Sequence, residues 1–174
     1  MRLSETIPTE RDAEALRIAE PITNMATLGL LTGDFAHYRS VFELPVQVET
    51  VSGCQVYETE QELRELFMSI RNYLQVINTT DLVRKFVAAE FLDNETLQTV
   101  HESYALQGST RVVEPIPVMS LFKQIDGVWK VKKTSFVILD IGEFNNAFKA
   151  QTPQGDTGFS LEMSSDKAPN MTNV

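Results

Sequence analysis

Two side chains in this sequence of 174 residues stand where proton chemistry could be done. Glu49 lies among Val46, Val48 and Val51 in a stretch with strand character, and a carboxyl desolvated by such neighbours is lifted towards the range useful for general acid/base work. His101, in Thr99-Val100-His101-Glu102-Ser103-Tyr104, shares a strand face with Thr99, Ser103 and Ala105, where an imidazole could carry a proton. Plainer readings fit the same alternation: a solvated, outward Glu49, and a His101 satisfied within the sheet or at a dimer face. Glu102 falls on the opposite strand face with Val100, Tyr104 and Leu106, so it cannot form a dyad with its neighbour His101. Arg84 and Arg111 are candidates for holding a substrate anion, or for surface ion pairs. His37 reads as a surface residue.

Other chemistries find no template. The sequence has no Gly-rich phosphate loop, no paired-Cys spacing, no His-x-x-x-His and no Gly-x-Ser-x-Gly elbow. Two histidines and the single Cys54 make no metal centre, and Cys54 has no basic neighbour to stabilise a thiolate. No metal and no cofactor is expected. With 15 Lys+Arg against 24 Asp+Glu the net charge is -9, which repels phosphate backbones and anionic headgroups and excludes nucleic acid and membrane surfaces as partners. No apolar run is long enough to span a bilayer, and Met1 to Arg11 carries charges in place of an apolar leader. A cytoplasmic location is the expectation, and the Asn-x-Thr triplets at Asn78, Asn94 and Asn170 read as turn and tail residues.

The elements that must position these side chains follow from caps and periodicity. Thr9 and Asp12 form a capping box ahead of a helix over about 10–31, with Pro21 predicting a kink or two helices end to end. Thr32-Gly33-Asp34 closes that helix and caps a short second one bearing Phe35, Tyr38 and Phe42, ended by Pro45. A short strand over 44–51 and an extended piece around 55–57 follow. Thr59 and Glu62 cap a strongly amphipathic helix with Leu63, Leu66, Phe67, Ile70, Leu74 and Ile77 on one face. Strands at 81–92, 95–107, 116–125 and 128–140 then form an antiparallel meander, with two-residue turns at Asp93-Asn94 and Asp126-Gly127. Pro115 and Pro117 place the start of the third of these strands at an edge or bulge. Phe144 and Phe148 suggest a helical turn, and 151–174 reads as a flexible tail, or as a lid or partner-ordered segment through Phe159, Leu161 and Met163. The domain proper is 10–140, with 1–9 as an extension.

This order predicts an α+β fold in which a curved, mainly antiparallel sheet wraps a long helix as a cone-shaped barrel enclosing a pocket. Gly33-Asp34-Phe35 before Tyr38 and Phe42, then Val46-Gln47-Val48-Glu49, the Thr59-capped helix and Asp126-Gly127-Val128-Trp129-Lys130-Val131 resemble the nuclear transport factor 2-like (cystatin-like) superfamily, especially its SnoaL-like branch. The resemblance implies a pocket for a small apolar molecule and a homodimer. It also implies relatives that include polyketide cyclases, steroid isomerases and dehydratases beside members that only bind or dimerise. Met25, Tyr38, Phe67, Tyr104 and Trp129 are the expected pocket residues, with Glu49 and His101 as the catalytic pair. The steroid-isomerase machinery does not carry over: Ala26 stands where the catalytic Tyr would be, and Thr50 where the general-base Asp would be. Glu49 matches the acid that follows Val in SnoaL-like members, whereas Asn78-Thr79-Thr80-Asp81 lacks their usual His. Cofactor-free cyclisation, dehydration or isomerisation is one implied function, and a non-catalytic ligand-binding or dimerisation domain the other.

Overall fold

A computed structural model describes residues 9–136. Its elements run α1 (Glu10–Thr32), α2 (Phe35–Ser40), β1 (Phe42–Thr50), β2 (Gly53–Tyr57), α3 (Glu60–Val76), β3 (Asp81–Phe91), β4 (Thr96–Gln107), β5 (Thr110–Arg111), β6 (Ile116–Ile125) and β7 (Val128–Phe136). The expectations for the end of the last strand, for Phe144 and Phe148 and for the tail lie outside the described residues.

All three predicted helix starts are capped by side chains. Thr9 and Asp12 exchange hydrogen bonds across the first turn of α1, and Thr59 and Glu62 do so on α3. The Asp34 carboxylate accepts the His37 amide N–H at 3.1 Å. Helix α1 continues unbroken through Pro21 and ends at Gly33, whose φ of 80° suits the left-handed cap. With no basic residue in its own last turn, α1 receives one from α3: Arg71 Nη1 donates to the Leu30 carbonyl at 2.5 Å.

The strands form one open, curved sheet in the order β2-β1-β7-β6-β4-β3, with β5 paired to β4. Among the described strands only the β1–β7 pair is parallel. Helix α1 lies along β3 and α2, and α3 puts Leu63, Leu66, Phe67, Tyr73 and Leu74 into the core with Val46, Tyr57, Leu97 and Phe122. The fold class read from the sequence is the one observed. No helix among the described residues is long and apolar enough to cross a membrane.

Three local expectations need correction. The second helix stops at Ser40; Phe42 opens β1 and Pro45 lies inside that strand, exposed, where the β1–β7 register shifts and no ladder N–H is needed. The 93–94 turn is a wider connection over 92–95, closed by the Leu92 N–H to Thr96 carbonyl bond at 2.9 Å, and Asn94 does not adopt positive φ. Asp126 and Gly127, at φ 51° and 79°, do make the tight turn. As Pro115 and Pro117 led one to expect, the start of β6 is an edge among the described residues: Ile116 and Pro117 pair with β4 alone, and β7 joins only from Val118.

Two bulges set which side chains face inward. In β3 the register steps from Phe86↔His101 to Ala88↔Val100, leaving Val87 as an extra residue, exposed. In β7 it steps from Phe122↔Val131 to Leu121↔Lys133, with Lys132 extra. Because side chains alternate with period two, each extra residue switches the parity of its strand. Thus Leu82 and Arg84 face inward before the first bulge and Ala89 after it; Val131 does so before the second, Thr134 and Phe136 after it.

Candidate functional site

Between the inner face of the sheet and the helices lies a cavity of about 110 Å³. This is the scale of the roughly 150 Å³ apolar cavity that admits benzene in another protein. Its roof comes from Ile22, Ala26 and Leu30 of α1, Tyr38 of α2, and Leu66, Ile70 and Leu74 of α3. The floor is built from β3, β4, β6 and β7, with Val48 of β1 at one side. Gly29 makes the roof: a Cβ there would come within 2.7 Å of the Asp34 carbonyl oxygen and the Tyr38 amide nitrogen. Only a glycine lets α2 approach α1 closely enough to seat Tyr38 over the cavity.

Strand register assembles the polar part of the floor. Arg84 lies opposite Ser103, and His101 is the next inward residue of β4, opposite Phe86. A row of hydroxyls crosses three neighbouring strands through Thr99, Ser120 and Thr134. Arg84 Nε donates to Thr27 Oγ1 at 3.1 Å, and its Nη1 donates to Ser103 Oγ. Among the described residues no carboxylate stands within ion-pair distance of this guanidinium. Burial brings its pKa down to about 10, so it remains a cation at neutral pH.

His101 is 3% exposed, and neither ring nitrogen has a hydrogen-bond partner among the described residues. Its ring centroid lies 5.4 Å from that of Phe86. Burial, and then the positive charge of Arg84, pull its pKa down to about 3, so it is a neutral imidazole with one donor and one acceptor open. Burial pushes the Tyr38 hydroxyl up, which keeps that group protonated as well. A hydrocarbon cavity thus presents one cation, one neutral imidazole and several hydroxyls. Such a set can grip the polar end of an otherwise apolar molecule, or hold an oxyanion at Arg84 while His101 exchanges a proton.

The residues singled out in the sequence part company here. His101 and Tyr38 line the cavity. Glu49 does not: it projects from the outer face of β1, where Lys133 Nζ reaches it at 2.9 Å and Ser135 Oγ donates to it at 2.8 Å. These two partners hold its carboxyl below the usual range, in the direction opposite to that of the catalytic reading and in keeping with the outward one. Glu49 and His101 therefore occupy opposite faces of the sheet. Tyr104 is also on the outer face, its hydroxyl donating to Glu102 at 2.5 Å. Met25 points to solvent, and Phe67 is buried behind the cavity against Phe35 and Tyr38. Trp129 packs edge-on against Phe91 at a separate shallow depression with Arg11 and Glu14. Of the two arginines, Arg111 makes a surface pair with Glu114 at 3.1 Å. His37 is exposed with Asp34, and Cys54 is exposed on β2. No group of three or more His, Cys, Asp and Glu converges as a metal site among the described residues.

Arg84 had a legible signal: it alternates with Leu82 and Phe86, so an inward face carries a charge. Tyr73, Ser120 and Thr134 had none, because the bulges and the helix docking that bring them to the cavity are not local properties.

No protein-family model matches the sequence, and no curated protein matches it either. Solved structures do match its fold. An NTF2-like protein of unknown function from Shewanella oneidensis aligns at 10% identity over 70% of this chain and 98% of its own, with a TM-score of 0.55. A protein of unknown function with a cystatin-like fold from Nostoc punctiforme aligns at 14% identity over 76% and 97%, at 0.56. A candidate dehydratase of the NTF2-like family from Streptomyces avermitilis aligns at 12% identity over 74% and 99%, at 0.55. The fold is that of the nuclear transport factor 2-like proteins, which the order of elements had suggested.

Proposed function

We propose that this nuclear transport factor 2-like fold serves as a small-molecule binding domain, taking an apolar ligand into the cavity beneath Tyr38. The observation that carries the reading is His101: an imidazole whose two nitrogens find no partner among the described residues, at the wall of an apolar cavity. Buried polar groups are almost always satisfied, and a donor and an acceptor left open together are explained by a guest that supplies both partners. The resemblance of the sequence to SnoaL-like proteins is in keeping with the same reading.

A second reading, cofactor-free proton transfer, is favoured by the placement of Arg84 beside His101. The guanidinium would stabilise an enolate oxygen while the imidazole took the proton from the adjacent carbon. Glu49 has no part in it, since its carboxylate is on the other face of the sheet.

Binding is tested by calorimetric titration with toluene and other small apolar probes. Saturable binding to the unaltered protein, weakened at least tenfold by Ala26→Leu, which fills the roof, is the expected result. Binding unaffected by that substitution would place the ligand elsewhere. Catalysis is tested by following deuterium uptake from heavy water into an apolar ketone such as 2-tetralone. Uptake accelerated by the protein and lost in His101→Gln supports it, and uptake at the solvent rate leaves binding alone.

A further inference from the structure

The polar groups of the cavity differ in sign and in satisfaction, and the difference points to a ligand class. Arg84 offers five N–H donors, of which Thr27 and Ser103 engage two. Both of these partners are neutral hydroxyls. They orient the guanidinium plane without compensating its charge, and no described carboxylate does so. A cation held in a largely apolar cavity is stabilised most by an anion that meets it with two parallel hydrogen bonds, the geometry of a carboxylate on a guanidinium. We infer that the ligand is a small monocarboxylate, its acid group held by Arg84 and its apolar body held between α1, α3 and the sheet.

This rests on the binding reading given above and narrows it. The rest of the wall limits the choice further. Beyond Arg84 the described lining, with Ile22, Leu66, Ile70, Val118 and Val131, supplies no second Lys or Arg, so a phosphate or a dicarboxylate would bring charge that no described residue answers. His101 stands close enough to feel the charge of Arg84, and its open N–H can donate to one carboxylate oxygen. Thr27 and Ser103 act as positioning residues, fixing the fork that faces the ligand. A bound carboxylate would also cancel the field of Arg84 at His101, so the imidazole would become easier to protonate in the complex than in the free protein.

The test compares matched pairs on the full chain by calorimetry: benzoate with benzamide, and isovalerate with isovaleramide, with toluene as the uncharged reference. We expect each carboxylate to bind at least tenfold more tightly than its amide, and Arg84→Met to abolish that preference while toluene binding persists. Arg84→Lys, which keeps a charge but lacks the fork, should retain part of the preference. In parallel, the His101 ring nitrogens, followed by NMR, should titrate at higher pH with benzoate bound than without. If toluene and the amides bind as tightly as the acids, or if Arg84→Met leaves the preference intact, the carboxylate assignment is overturned and the apolar pocket stands. If none of the five probes binds, the pocket reading falls and takes this inference with it.

Discussion

The two faces of the sheet treat charge in opposite ways. On the outer face Glu49 has Lys133 at 2.9 Å and Ser135 at 2.8 Å, and Glu102 accepts from Tyr104. On the inner face, among the described residues, Arg84 is met only by hydroxyls and His101 has no hydrogen-bond partner. Outside, water is at hand to solvate whatever the protein leaves open, yet these groups are partnered. Inside, where an open polar group is most costly, the charge of Arg84 is left uncompensated by any described residue and the ring nitrogens of His101 are left open. A fold selected for stability alone would reverse that pattern, so the inner face bears the mark of function.

The largest consequence concerns acid. The unfolded His101 takes up a proton near pH 6.5, its unperturbed value, whereas the folded one does so only near 3. Protonation therefore favours the unfolded chain between those values. The His101 contribution is fully present above pH 6.5 and falls by up to about 4–5 kcal/mol as the pH drops towards 3. Urea unfolding from pH 7.5 to 3.5 should show this steep loss in the unaltered protein and a much shallower one in His101→Leu. Equal slopes would mean that the imidazole is hydrated.

Gly29→Ala comes next. The added Cβ meets backbone atoms at 2.7 Å, which cannot yield as a flexible side chain would. A loss of about 2–3 kcal/mol in denaturant unfolding is expected, together with weaker ligand binding as Tyr38 is pushed from the roof. Retained stability would show that α2 has room to move. Arg84→Met should act the other way, raising stability at neutral pH by about 1 kcal/mol because an uncompensated cation leaves the cavity. A marked loss of stability would make Arg84 a structural residue. The smallest effect is reserved for Glu49→Gln: an exposed ion pair is lost, and neither thermal midpoint nor ligand affinity should change measurably. A change in affinity would return Glu49 to the site.

How much of this was legible in the sequence depended on the range of the interactions involved. Caps at Thr9, Asp34 and Thr59, the amphipathic α3 and the Asp126-Gly127 turn are contacts within a few residues, and each was readable. That Thr99, His101, Ser103 and Ala105 share one face of β4 was readable as well, because that strand alternates without a bulge; that this face is the inward one was not. For Glu49 the alternation with Val46 and Val48 favours the outward position it has, but its neighbours in sequence say nothing about the partner strand, where Lys133 and Ser135 wait. The bulges at Val87 and Lys132 decide which residues of β3 and β7 meet the cavity, and neither leaves a local mark. Pro45 was read as a helix stop, since the register shift that tolerates it inside β1 is a property of the β1–β7 pair.

The most direct test of the contrast between the faces is a methyl NMR titration of the full chain with benzoate and with toluene. Shifts confined to the inner set, Ile22, Leu66, Ile70, Val118 and Val131, with Val83 and Val87 of β3 unmoved, are predicted. Shifts centred on Val83 and Val87, or none at saturating probe, would contradict a ligand-binding inner face.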